Sequence, residues 1–190
     1  TEVVKDAAGN NVTAQFKVNK VNGQLVINKR NVTLTSATDS KQYDGTALTN
    51  GTVTVSGDGF VEGEGAAYDV TGSQTLVGSA DNTFSYTLNP NTKADNYNIT
   101  KVEGKLTVTD RVEKYEITVV ANSLTDTYDG TEKSVSGFKT LKFTVNGQTY
   151  TVSGLEAKAT RKDAGTTDAV VKGTEVVKDA AGNNVTAQFK

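Results

Sequence analysis

Three acidic side chains, Asp58, Glu62 and Glu64, sit in a glycine-rich stretch from Gly57 to Gly65 (GDGFVEGEG). Carboxylate oxygens in a glycine-rich turn are what Ca²⁺ takes, so these three are the candidates for calcium, although their spacing fits no defined calcium loop. A second chemistry is an isopeptide crosslink from Lys29 or Lys114, each at the start of a strand, to an Asn on a last strand. It would require burial that shifts the lysine pKa and a carboxylate nearby, and no such trio stands out among the many Lys and Asn residues. A third group is a pair of boxes, Tyr43-Asp44-Gly45-Thr46 and Tyr128-Asp129-Gly130-Thr131. Asp at a turn accepts hydrogen bonds from its own backbone, Gly supplies an unusual φ, and Tyr can pack its ring. Their reading is structural.

Composition narrows the rest. The 190 residues include no Cys, His or Trp, which removes disulfides, ordinary zinc and copper sites, and the usual general base. Among 22 acidic residues no pair is marked out for glycoside hydrolysis. The expectation is therefore no enzyme, no cofactor and no bound metal. Net charge is −2 with Lys and Arg scattered, so the basic footprint of a nucleic-acid binder is missing. No run of 18 or more apolar residues occurs, and membrane insertion is not expected. Val and Thr are frequent, which favours strands.

The elements that must position these residues follow from two levels of repetition. Thr1 to Lys17 (TEVVKDAAGNNVTAQFK) recurs without a change as Thr174 to Lys190, so Thr1 to Gly173 is one full period. A chain with such a period is one unit of a tandem array plus an overlap, and reads as a piece of a longer polypeptide. Inside the period lies a weaker repeat. Lys20-Val-Asn-Gly-Gln-Leu-Val-Ile27 matches Lys101-Val-Glu-Gly-Lys-Leu-Thr-Val108, Tyr43 to Thr46 recurs as Tyr128 to Thr131, and Val70-Thr-Gly72 recurs as Val152-Ser-Gly154. Two related modules alternate. Residues 1–28 are the last strands of a preceding second-type module, 29–110 a complete first-type module, and 111–190 a second-type module lacking its closing strand.

Period-2 alternation places the strands. Residues 1–28 read as three short ones, with Val12, Ala14 and Phe16 on one face. In 29–110, Asn31 to Ala37 turns Val32 and Leu34 inward, Asp39 to Thr46 is a turn, and Thr83 to Leu88 puts Phe84, Tyr86 and Leu88 on one face. Tyr97, Ile99, Leu106 and Val108 close that module. In 111–190, Tyr115 to Ala121 is a first strand, and Asn146-Gly147 joins Leu141–Val145 to Thr149–Val152 in a type I′ hairpin. Val185, Ala187 and Phe189 share a face at the end. The fold class is all-β, with tandem antiparallel sandwich modules in an elongated rod and little or no helix.

The Tyr-Asp-Gly-Thr boxes, together with Val70 to Gln74 and the closing stretch Asn96 to Thr109 (NYNITKVEGKLTVT), resemble the bacterial Ig-like repeats called MBG or YDG domains. That resemblance implies β-sandwich stalk modules of a large surface adhesin, in an extracellular, wall-anchored or secreted setting. Gly137 to Gly173 departs from the pattern. Three function classes follow: a stalk or spacer, a ligand-binding adhesin module acting through loops such as 57–65, and an accessory module of a secreted glycan-active enzyme. Verbatim repetition favours the spacer, because a spacer works by copy number. Its partners are neighbouring repeats. Head-to-tail self-association by donation of Val18 to Asn28 is also expected, because each end carries part of a module. The sequence names no host ligand.

Overall fold

Alternation in Arg30–Ser36 (β1) buries Val32, Leu34 and Ser36 on one side and leaves Thr33 and Thr35 only partly covered. This is the signature of a strand with one face on a core. In the computed structural model, which describes residues 2–190, β1 is the centre of a three-stranded sheet. Thr1, first residue of the repeated stretch, lies outside that description. β1 pairs antiparallel with Val53–Gly57 (β3) and parallel with Tyr97–Val102 (β7). Asp39–Gln42 (β2), Gly78–Asp81 (β5) and Lys105–Thr109 (β8) form a second sheet, in which β2 lies parallel and β5 antiparallel to β8. Ala66–Val70 (β4) and Phe84–Leu88 (β6) make a separate antiparallel pair.

The all-β expectation holds. Among the described residues there is no α-helix, only 3-10 turns at Thr13–Gln15, Ala94–Asn96 and Thr186–Gln188. The antiparallel expectation needs correction, because two of the ladders are parallel. β1 runs into β2 across Ala37-Thr38, and β7 runs into β8 across Glu103-Gly104. The two paths travel side by side in one direction and change sheets at the same level. That crossing explains why Asp39–Gln42, read as a turn, is a strand. It has no apolar residue, but its backbone is held by β8.

A buried polar knot locks the crossing. Ser36 Oγ donates to Asn82 O at 2.6 Å and accepts from Gly104 N at 3.0 Å. Asn82 Nδ2 donates to Ala37 O and Asn50 O at 3.0 and 2.8 Å, and Asn82 N donates to Gly104 O at 2.7 Å. A Cβ at position 104 would overlap the carbonyls of Ser36 and Ala37, so glycine is required for the two chains to approach. The groups paired in this way fix one arrangement, since leaving such a group unpaired costs about 1–3 kcal/mol, and Asn82 Oδ1 is the atom of the knot that is buried without a partner among the described residues.

Residues 111–190 contain Lys133–Ser136 (β9), Lys142–Val145 (β10), Gln148–Arg161 (β11) and Val171–Asp179 (β12). β11 pairs antiparallel with all three others. The Asn146-Gly147 hairpin is present, with φ of 48° and 76° at its two central residues. Tyr115 to Ala121, expected as a strand, makes only two isolated bridges, Tyr115 with Phe189 and Ala121 with Phe138. On the Phe189 side, Tyr115 N donates to Gln188 O, Ile117 N to Lys190 O, and Lys190 N to Tyr115 O.

Residues 2–28 are also corrected. Instead of three strands they hold a single bridge, Lys5 with Asn11, and the turn Thr13–Gln15. The same sequence at the other end forms the matching bridge, Lys178 with Asn184, and the matching turn. Local hydrogen bonds repeat as well: Val4 N and Val177 N each reach a Thr hydroxyl at 2.8 Å. Because the turn breaks the alternation, Ala187 is exposed and Gln188 is buried, contrary to a strand reading. What differs between the copies is burial. Phe16 is 58% exposed and Phe189 only 6%.

Two cores result. Val32, Leu34, Phe84 and Tyr97 form one, within the first module. The other joins Tyr43, Leu48, Leu106 and Val108 to Tyr150, Val152, Val177, Val185 and Phe189. It takes residues from both sides of Asp110-Arg111. The twin phenylalanines give a controlled comparison. Phe189→Ala is expected to cost about 3–5 kcal/mol in urea unfolding, and Phe16→Ala less than about 0.5 kcal/mol. Equal losses would contradict the burial described.

Candidate functional site

The two Tyr-Asp-Gly-Thr boxes fold alike. Asp44 Oδ1 accepts from Thr46 N at 2.8 Å, from Thr46 Oγ1 at 2.7 Å and from Lys41 Nζ at 2.7 Å. Asp129 Oδ1 accepts from Thr131 N at 2.9 Å and Thr131 Oγ1 at 2.6 Å, and its Oδ2 accepts from Lys133 Nζ at 2.7 Å. Gly45 and Gly130 lie at φ 81° and 77°. Burial alone would raise the Asp44 pKa, but the hydrogen bonds from Lys41 and Thr46 outweigh it and hold the carboxyl below its ordinary value. The Lys133 ammonium, with Thr131, likewise holds Asp129 well below the usual range. Both acids therefore stay ionised and engaged at neutral pH.

The boxes differ in what covers them. Tyr43 is 1% exposed, Tyr128 63%. Tyr150, from the start of β11, stands on the first box. A Cβ on Gly45 would overlap the Tyr150 hydroxyl and lie 2.9 Å from Gln148 Cγ, whereas one on Gly130 would meet nothing within 4 Å. Burial, with the Tyr150 hydroxyl close by, pushes the Tyr43 phenol up, and burial does the same to Tyr150. Neither phenol ionises near neutrality. The Tyr150 hydroxyl is buried with no hydrogen-bond partner among the described residues.

Around this contact the linker is pinned. Gln188 Oε1 accepts from Arg111 N at 2.9 Å, and Gln188 Nε2 donates to Asp110 Oδ1 at 2.6 Å. Arg111 Nη1 donates to Tyr43 O and to Tyr115 Oη, each at 3.1 Å, with its guanidinium 3.9 Å from the Tyr115 ring centroid. Phe189 stacks edge-on to Tyr150 at 4.7 Å. Gln188 and Arg111 gave no sequence signal, since what matters is the contact they make from opposite ends of the second module. The arrangement is a packed joint: an apolar seat, a cation over an aromatic ring and a linker hydrogen-bonded at both of its residues.

The other candidates are dispersed. Asp58 Oδ2 accepts from Asn31 N at 2.8 Å and the Asp58 carbonyl accepts from Arg30, so this acid caps the end of β3. Glu64 accepts from the Tyr97 hydroxyl at 2.5 Å, while Tyr97 Oη accepts from Val61 N at 3.1 Å. Glu62 is exposed. The three calcium candidates are not brought together, and no cluster of three or more potential metal ligands occurs among the described residues. Lys29 and Lys114 are both exposed, away from the buried setting that an isopeptide bond demands.

Comparison with protein-family models, with curated proteins and with solved structures finds no match to this chain. The joint itself is testable by a pair of matched substitutions. Both glycines occupy the left-handed region, where a Cβ costs about 1–2 kcal/mol, but only Gly45 has Tyr150 above it. Gly45→Ala is expected to lower stability by at least about 1 kcal/mol more than Gly130→Ala. Equal costs would show that the Tyr150 seat carries no energy.

Proposed function

We propose that this chain is a stretch of structural stalk from a bacterial cell-surface adhesin, in which Ig-like modules of the MBG/YDG kind hold a distal binding domain away from the cell. The observation that carries this reading is the joint between Tyr43 and Tyr150. A spacer must transmit position from unit to unit, and a core shared across a short linker, Asp110-Arg111, does so better than a flexible tether. The verbatim recurrence of Thr1 to Lys17 supports it too, because repeat rods are built from units that mainly touch their neighbours.

The extracellular setting, wall-anchored or secreted, belongs to the same proposal. Two of the three acidic residues of loop 57–65 that a ligand-binding reading would use, Asp58 and Glu64, are spent on Asn31 and Tyr97. The carboxylates of Asp44 and Asp129 and the buried Tyr43 phenol are held in states suited to packing rather than proton transfer, so the reading is non-enzymatic. No helix among the described residues is long and apolar enough to cross a membrane.

Strands of ~6–8 residues with end loops give roughly 25–40 Å per module along a rod. Small-angle scattering extrapolated to infinite dilution is expected to give a radius of gyration above about 20 Å, against ~16 Å for a compact chain of this length. A value near the compact limit would overturn the rod.

A further inference from the structure

With neither Cys nor Met, the chain is closed to the commonest side-chain oxidations. The places open to slow covalent change are instead its Asn-Gly pairs, Asn22-Gly23, Asn50-Gly51 and Asn146-Gly147. Glycine puts no side chain in the way of its own amide nitrogen, which can therefore close on the Cγ of the asparagine before it. The N–Cγ bond forms as the Cγ–Nδ2 bond breaks. The glycine N–H proton passes to a solvent base, and the departing Nδ2 takes up a proton and leaves as ammonia. Water then opens the five-membered imide at either carbonyl, giving aspartate or isoaspartate.

The structure separates two of these pairs. Asn50 Oδ1 accepts from Thr52 N at 3.1 Å, its Nδ2 donates to Asp39 Oδ2 at 3.0 Å, and its carbonyl accepts from Asn82 Nδ2 at 2.8 Å. Both ends of that amide are held, and turning it onto Gly51 N would break its bonds. Asn146 and Gly147 are exposed at the tip of the β10–β11 hairpin. The Asn146 amide has one contact, from Nδ2 to the Tyr115 hydroxyl at 2.8 Å. Gly147 N donates to no group among the described residues.

The surroundings of Asn146 suit a different side chain. Tyr115 Oη accepts from Asn146 Nδ2 and, at 3.1 Å, from Arg111 Nη1, while its own proton meets no acceptor among the described residues. The Arg111 guanidinium donates to the carbonyls of Glu113 and Tyr43 and to Tyr115, and to no carboxylate among the described residues. The amide thus presents a donor where its neighbours are donors too. A carboxylate in its place would accept the phenol proton and lie one hydroxyl away from an unpaired cation. Such charge-assisted hydrogen bonds are roughly twice as strong as neutral ones.

We propose that Asn146 is a self-modification site: Gly147 N displaces Nδ2 as ammonia, water opens the imide, and the resulting aspartate is held by Tyr115 and Arg111. Aspartate preserves the hairpin, because Asp-Gly also satisfies a type I′ turn. Isoaspartate adds a backbone atom to a two-residue loop whose flanking pair, Val145 with Gln148, is already fixed. Arg111 Nη1 also donates to Tyr43 O. The new carboxylate therefore braces the joint, in a path from the hairpin tip through Tyr115 and Arg111 to the first box. The conversion consumes only water, and it depends on these contacts rather than on the role of the chain as a whole.

The test follows the full chain in mildly alkaline buffer, with mass spectrometry of each Asn-Gly peptide after digestion and chromatographic separation of aspartate from isoaspartate. Residue 146 is expected to convert while residue 50 stays an amide. The aspartate share at 146 is expected to exceed that of a synthetic peptide of the hairpin sequence. Asn146→Asp is expected to raise Tm by about 2–4 °C, the shift that about 1 kcal/mol gives a chain of this length. Added salt is expected to shrink that gain, and a Tyr115→Phe background to abolish it. Asn22→Asp, where no such neighbours exist, is expected to leave Tm unchanged. Persistence of the amide at 146 for as long as at 50 overturns the proposal, as does an aspartate share no greater than the peptide's. So does an Asn146→Asp chain no more stable than the unaltered one, or a gain that survives Tyr115→Phe.

Discussion

Tyr43 is a surface-type residue at the tip of a turn, and it is buried because Tyr150 and the strands behind it arrive from the other module. Its ring, Leu48, Leu106 and Val108 would otherwise lie open at the end of the first module, as Tyr128 does at the end of the second. Burying large apolar side chains stabilises by about 1.5–3 kcal/mol each, a large share for modules this short, whose own cores are small. The second core is the joint, and the clamp of Gln188 and Arg111 on the linker holds that joint in one geometry.

The sheet crossing makes the joint possible. Because β1–β2 and β7–β8 pass from one sheet to the other together, the first half of each path serves the core within the module and the second half serves the core it shares. Val32 and Leu34 lie before the crossing and face inward, whereas Tyr43, Leu106 and Val108 lie after it and face the neighbour. Ser36, Asn82 and Gly104 hold the switch between these two roles. A fault in that knot would misplace the joint as well as the local strands.

Much of this was legible where the signal is local. Alternation located β1, β6 and β8, and Asn146-Gly147 marked its hairpin. The twin stretches at the two ends show where legibility stops. Both copies form the same bridge, turn and Asp-centred hydrogen bonds, which short-range chemistry dictates. Yet Val177 is strand and core while Val4 is neither, because β11 pairs with one copy and not with the other. Parallel pairing was equally hidden, since it joins partners as distant in the sequence as Arg30 and Tyr97, or Asp39 and Leu106. β2 and β5 carry too few apolar residues to register as strands at all. The boxes were visible as motifs, but the contact made by the first was not, because nothing in the immediate neighbourhood distinguishes Tyr43 from Tyr128 as strongly as Tyr150, which covers only the first.

If the two modules share a core, they must also share stability. Native-state hydrogen exchange reads this directly, comparing the protected amides of Leu106 and Val108 with those of Tyr150 and Val177 before and after Tyr43→Ala. The shared core predicts that the substitution lowers protection in both sets by a similar factor, on the order of 10²-fold for a loss of about 3 kcal/mol. Loss confined to the first set, with Tyr150 and Val177 unchanged, would contradict it and leave two independent modules on a tether.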